Sequence, residues 1–288
     1  MHERYGVVQT GAMGWTLTRD LDTFLADAGP FMHADPAVHT VALTVTATMR
    51  AQEPGDREDV LFASWTRDGR VEGIALWTPP RPPLLGCPPD AARELAGVLP
   101  EPVGGVHANP ETAEAFTDAW RRRTGGSARV TMRQRLYRLG TLAAPDPAPP
   151  GTARIATAAD RDVAGAWFVA FSEEDEEHGP ANLAALDDRI ATGGLALWER
   201  GGTPVSMAAR TRIVAGMARV APVYTPPEHR RNGYGAAVTA AVTRSALDTG
   251  AREVVLFTDL ANPTSNAIYR RLGYRPVEDR TIMTFTPA

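Results

Sequence analysis

The sequence predicts an α/β (α+β) fold in two halves of similar order. Three observations lead there. Short apolar runs alternate with stretches of helical periodicity along the whole chain. A proline-rich stretch divides the chain near its middle. The tripeptide Ala-Asn-Pro recurs between a strand and a helix in each half, at Ala108-Asn109-Pro110 and Ala261-Asn262-Pro263, as a divergent internal repeat would have it.

The divider is residues 140–151, Gly-Thr-Leu-Ala-Ala-Pro-Asp-Pro-Ala-Pro-Pro-Gly. Four prolines and two glycines in twelve positions can neither continue a helix nor sit in a central strand. The expected domains are 1–139 and 152–288, joined by this linker. In the second half, strands are expected at 153–156, 195–199, 205–211, 217–225, 253–258 and 281–286. Helices are expected at 160–172, 182–191, 234–247 and 263–272. Gly201-Gly202 marks a hairpin, and Pro263 and Gly273 bracket the last helix. In the first half, helices are expected at 21–28, 91–99 and 111–123. The alternating run Val41–Met49 reads as a strand, as do 61–66, 71–78, 103–106 and 130–139.

Composition excludes several functions. The chain has 288 residues and a formal net charge of −4, which disfavours nucleic acid or an anionic membrane as the main partner. Every basic residue is Arg, so lysine Schiff bases and phosphate-loop lysines are excluded. The single Cys87 excludes an internal disulfide and a cysteine-cluster metal site, and the histidines show no metal-site pairing. No apolar run reaches the ~18 residues of a membrane span, and the N-terminus lacks the apolar region of a signal peptide. A cytoplasmic protein without metal is expected.

Two motifs carry chemistry. The first is Val223-Tyr224-Thr225, a strand end, followed by Arg230-Arg231-Asn232-Gly233-Tyr234-Gly235-Ala236 at a helix start. First-turn amides lack intrahelical acceptors, and the helix dipole favours negative charge there. Gly233 and Gly235 let backbone approach a diphosphate, and Arg230 and Arg231 add charge. The bland reading of the same residues is a glycine-softened helix start with surface arginines. The second motif is Asn262-Pro263-Thr264-Ser265 running on to Tyr269 and Gly273-Tyr274. Asn262 and Tyr269 stand two helical turns apart on one face. A phenol near 10 can protonate a leaving thiolate near 8.5.

Together these residues resemble the GNAT superfamily of acyl-CoA-dependent N-acetyltransferases, over roughly residues 152–286. Arg230, Gly233 and Gly235 match its Arg/Gln-x-x-Gly-x-Gly/Ala motif. Asn262, Tyr269, Gly273 and Tyr274 match its second motif, with Ser265 where Ala is usual. The resemblance implies two GNAT-like domains, each a mixed, mostly antiparallel sheet flanked by helices. It also implies acetyl-CoA as cosubstrate and direct transfer of the acyl group to an amine through a tetrahedral intermediate. Val223, Tyr224, Thr225, Arg230–Ala236, Asn262 and Ser265 would hold the cofactor, amides near Val223 and Thr225 would face the oxyanion, and Tyr269 would be the general acid.

The base is left open between Glu173, Glu174 and water. Both lead the acidic run Glu173–Glu177 before His178, which would attract a cationic amine and raise one carboxylate by like-charge repulsion. Arg270 and Arg271 read as solvated helix charges or as contacts to the CoA 3′-phosphate. The first half resembles a degenerate copy: Thr78-Pro79-Pro80-Arg81-Pro82-Pro83 stands where the glycine turn would be, and Phe116 where Tyr269 stands. The expected acceptor is a small-molecule primary amine, and either half offers a surface for a homodimer. The competing readings are a non-catalytic acyl-CoA sensor, an enzyme for longer acyl-CoAs, and one acting on protein amines.

Overall fold

The computed structural model describes residues 7–10, 13–51, 59–174 and 181–288. The chain forms two compact units: Met1–Gln134 with Glu278–Ala288, and Arg135–Val277. The first contains β1 (Val7–Thr10), β2 (Met13–Thr18), α1 (Leu21–Ala34), α2 (Thr40–Ala51), β3 (Leu61–Arg67), β4 (Arg70–Trp77), β5 (Leu84–Gly86), α3 (Pro89–Val98), β6 (Gly105–Ala108) and α4 (Pro110–Thr124). β7 (Ser127–Leu139) begins in it and ends in the second unit. The second contains β8 (Thr152–Ile155), α5 (Arg161–Glu173), α6 (Leu183–Ala191), β9 (Leu195–Arg200), β10 (Thr203–Arg210), β11 (Met217–Tyr224), α7 (Tyr234–Asp248), β12 (Glu253–Asp259) and α8 (Pro263–Arg271). β13 (Tyr274–Thr286) begins there and ends in the first unit. The order from β2 to β7 is thus repeated from β8 to β13. Residues 135–139 and 278–288 each belong to the other unit from the half in which the sequence places them.

In the second unit β8, β9, β10 and β11 pair antiparallel in chain order, and β11 pairs parallel with β12. Successive side chains on these strands face opposite sides. Leu195, Leu197, Met207 and Ala209 pack in a core with Phe168 of α5 and Leu186 of α6. Ala196, Ala208, Ala218 and Val220 pack in another with Val238 of α7 and Tyr269 of α8. The sheet is therefore covered on both faces. The β9–β10 hairpin turns through Gly201 and Gly202 at φ +58° and +79°, as a two-residue turn matching strand twist requires. The 3-10 turn Ala158–Asp160 that leads into α5 is fixed by a capping box, in which Asp160 accepts from Thr157 N at 2.8 Å and from both terminal nitrogens of Arg154 at 2.7 Å.

The first unit has the same plan. β2, β3, β4 and β5 pair antiparallel, β5 meets β6 in parallel at Leu84↔His107, and β6 pairs antiparallel with Thr281–Thr284 of β13. Its core contains Trp15, Trp65, Phe116 and Trp120, and Phe285 stacks on Trp120 at 4.2 Å between ring centroids. Buried Arg280 ties this segment down. Its guanidinium donates to Leu85 O at 3.1 Å and Val38 O at 3.0 Å, and pairs with Glu278.

The expected strand at 41–49 is instead helix α2. Its alternation of β-branched and small residues imitates a strand, but the threonines satisfy themselves along a helix. Thr44, Thr46 and Thr48 donate to the carbonyls of Thr40, Ala42 and Thr44 at 2.7–2.8 Å. Strand β5 was not foreseen because three residues among prolines carry no periodicity. No helix among the described residues is long and apolar enough to cross a membrane.

His39 supplies a pH test. Burial, together with the nearby Arg280 cation, lowers its pKa from 6.5 to about 4, against a smaller opposing influence of Asp35. The unfolded chain takes up this proton at higher pH than the folded one, so stability falls as pH drops from about 6.5 towards 4. The loss is at most about 3 kcal/mol. In urea titrations across that range, His39→Gln flattens this part of the first unit's stability profile.

Candidate active site

The site forms where β11 leaves β12. Their registered pairs run from Met217↔Glu253 to Val220↔Leu256. Past Val220, the remaining residues of β11 have no registered partner on that side, so their backbone edge is free of the ladder on the approach to α7. β10 keeps its hold on the other side through Met207↔Tyr224 and Ala208↔Val223. Ser206 strengthens it: its hydroxyl donates to Tyr224 O at 3.0 Å and lies 2.8 Å from the Thr225 hydroxyl. Val223, Tyr224 and Thr225 are thereby fixed from one edge and left open at the other.

The glycine turn follows. Pro227–His229 form a short 3-10 turn. Arg231 at φ +64° and Gly233 at φ +81° then reverse the chain into α7. Gly233 sits at the helix N-cap in the left-handed region that glycine enters without strain. Asn232 holds the turn closed by donating to His229 O and Arg230 O, both at 3.1 Å. The first intrahelical bond is Ala237 N to Gly233 O, which leaves the amides of Tyr234, Gly235 and Ala236 without helical acceptors. A Cβ on Gly235 would stand 3.4 Å from Thr225 Oγ1, so the helix start lies close against the strand end. Arg231, Asn232 and Gly233 are exposed and Tyr234 is buried. First-turn amides without helical acceptors, an exposed glycine at positive φ and flanking arginines suit a bound anion such as a diphosphate.

Arg230 joins this strand end to the acidic segment. Its Nε donates to Thr225 O at 2.9 Å, its guanidinium carbon lies 5.8 Å from the Tyr224 ring centroid, and it pairs with Glu174. Glu173 ends α5 and has no partner among the described residues. Asp175, Glu176, Glu177 and His178 lie outside the described residues. Tyr224 is buried against Trp167 of α5, and burial raises its pKa.

Tyr269 is buried in the core shared with Val220 and Leu256, the last paired residues before the strands part. It packs edge-on against Tyr274 at 6.1 Å, while Tyr274 is held by a 2.6 Å bond to the Thr243 hydroxyl. Among the described residues the Tyr269 hydroxyl has no hydrogen-bond partner. Burial pushes its pKa up to about 12. The near match to a thiol expected from the sequence is therefore not kept. The phenol stays protonated throughout the physiological range and is a stronger hydrogen-bond donor than proton source.

Asn262 and Tyr269, two helical turns apart, differ in burial: Asn262 is exposed and Tyr269 is buried. Asn262 caps α8 by accepting from Ser265 N at 2.9 Å, as Asn109 caps α4 from Thr112 N at 2.9 Å. The shared Ala-Asn-Pro thus marks the same helix start in both units. No sequence motif points to Asn266. Buried, it donates to Asp259 O and Asn262 O at 2.8 Å and accepts from the Tyr137 hydroxyl at 2.9 Å. Arg270 completes this network by donating to Tyr137 at 3.2 Å, which leaves Arg271 as the arginine of the pair not engaged there. No group of acidic, His or Cys residues suited to a metal occurs among the described residues.

In the first unit, the strand that precedes the equivalent helix is β5, not the strand ending near Thr78. The join to α3 is Cys87-Pro88, with no glycine turn, and Pro89 opens the helix. The Leu85 carbonyl there is occupied by Arg280.

Residues 159–274 match the sequence profile of the Acetyltransferase (GNAT) family. No curated protein matches the chain. Among solved structures, a GCN5-related N-acetyltransferase from Kribbella flavida is 23% identical with a TM-score of 0.54, covering 75% of this chain and 87% of its own. A GCN5-related N-acetyltransferase from Sphaerobacter thermophilus is 14% identical with a TM-score of 0.62, covering 95% of both chains. A tandem GNAT protein from the clavulanic acid biosynthesis pathway is 14% identical with a TM-score of 0.51, covering 96% of this chain and 98% of its own. These likenesses establish the fold. Over residues 159–274, the chain is similar to the GNAT acetyltransferase family.

Proposed function

We propose that the second unit transfers an acyl group from acetyl-CoA directly to a primary amine of a small molecule, and that the first unit is a degenerate copy without a working cofactor site. The observation that carries this reading is the parting of β11 from β12 after Val220 and Leu256, which leaves the end of β11 unladdered before the glycine turn of α7, with buried Tyr269 in the same core cluster as the last paired residues. The fit to a CoA diphosphate rests on Gly233, whose φ of +81° and exposed position let backbone meet a phosphate directly. Amides of Tyr234, Gly235 and Ala236 hold the diphosphate, with Arg231 as counter-charge. Asn262 and Ser265 at the α8 cap line the cofactor side.

The unpaired edge of β11 orients the thioester. The amides of Val223 and Thr225 donate to its carbonyl oxygen as negative charge develops there. Pro222 has no N–H and plays no part. The acceptor must arrive neutral, or lose a proton to Glu173, Glu174 or water, before its lone pair forms the C–N bond. Glu174 accepts that proton only after leaving Arg230, and an exposed pair of this kind is worth no more than about 1 kcal/mol. The C–S bond breaks as Tyr269 donates to the departing sulfur. Full proton transfer from a phenol at about 12 to a thiolate near 8.5 is uphill by roughly 5 kcal/mol. Tyr269 therefore acts by donating its hydrogen bond as the bond breaks, and the amine's surplus proton completes the balance.

Two experiments test this. With acetyl-CoA and a panel of small primary amines, Tyr269→Phe lowers kcat by about 100-fold or more and leaves acetyl-CoA affinity within about twofold. Because Tyr269 titrates near 12, kcat shows no alkaline fall from this residue up to about pH 10. An unchanged kcat removes Tyr269 from the reaction. In the second, acetyl-CoA at about 100 times its Kd adds roughly 2.7 kcal/mol of stability, seen as a Tm rise of several degrees. Gly233→Trp abolishes that rise, and a wild-type protein without one contradicts the reading.

A further inference from the structure

The proline-rich segment 140–151 is fastened at both ends inside the second unit. At its start, Gly140 N donates to Gly273 O at 2.9 Å and Ala143 N to Leu272 O at 3.1 Å. Contact there is so close that a Cβ on Gly273, itself at φ +96°, would stand 1.9 Å from Thr141 O. At its end, Pro150 O accepts from Trp198 Nε1 at 3.1 Å, and Thr152 enters the sheet opposite Glu199. Between these anchors, residues 144–150 form one wall of a groove of about 600 Å³. The facing wall is the glycine turn and first turn of α7, through Asn232, Gly233 and Ala236, and the outer side of α8, through Ile268 and Arg271. A Cβ on Gly233 would stand 3.6 Å from Pro149 Cβ, so the segment borders the diphosphate cradle itself.

The groove has the size of a cofactor site. Its prolines and Ile268 offer apolar surface to a flat ring. Arg271 is the one cation lining it and has no carboxylate partner among the described residues, while Asp146 supplies the opposing charge. Four prolines in seven positions fix the backbone before anything binds, so little ordering opposes binding. We propose that residues 144–150 are the outer wall of the acyl-CoA site, enclosing the adenosine 3′-phosphate end of the cosubstrate against Arg271. The segment thereby selects thioesters that carry the nucleotide over those that end at pantetheine. This rests on the acyl-CoA reading above.

The test is calorimetric titration of the full chain with CoA and, separately, with adenosine 3′,5′-bisphosphate, the nucleotide end alone. The wild type binds both, and the two compete. Replacing Pro145, Pro147 and Pro149 together by Gly weakens both by about tenfold, and so does Arg271→Ala, an exposed position whose change leaves the proline segment intact. Unchanged CoA affinity in both variants overturns the wall while leaving the acyl-CoA reading in place. A wild type that binds neither probe overturns the acyl-CoA reading and the wall with it. A wild type that binds the bisphosphate but not CoA likewise overturns the acyl-CoA reading and, with it, a wall of the acyl-CoA site.

Discussion

The pairing of β11 with β12 ends at Val220↔Leu256, and the backbone beyond is held from the β10 side only. Unladdered backbone amides in a folded interior need partners. On the proposed reading, the elements around this gap serve a ligand there. Ser206 fixes the strand end from one side, Gly233 turns the chain at its tip, and Tyr269 packs beneath the last paired residues. Small residues make the approach feasible, since even a Cβ on Gly235 would come to 3.4 Å from Thr225 Oγ1. The site is thus a fault in a sheet, with the polar groups exposed by that fault put to use.

On the proposed reading, the first unit keeps the same plan without the site. It keeps the parallel meeting of β5 and β6, the asparagine-capped helix and the order of elements. It lacks the glycine turn, which is replaced by Cys87-Pro88, and its strand-end carbonyl at Leu85 is taken by the Arg280 guanidinium. Phe116, buried in the core, has no hydroxyl to offer.

Features that depend on local chemistry were legible in the sequence. The glycine turn needs Gly at a positive φ, the α8 start needs Asn before Pro, and the β9–β10 turn needs paired glycines; each is where it was expected. Features that depend on distant contacts were not. Helix α2 looks like a strand until its threonines find carbonyls one turn back. The acidity of Tyr269 depends on burial that no spacing reveals. Residues 278–288 belong to the first unit because Arg280, Ile282 and Phe285 find partners there, and a linker-like composition says nothing of the groove that 144–150 border.

The most direct test of the account is the stoichiometry of CoA binding to the intact chain, measured by titration calorimetry against protein of known active concentration. The account predicts one CoA per chain, lost on Gly233→Trp. Two per chain, or one that survives that substitution, would contradict a single cofactor site in the second unit.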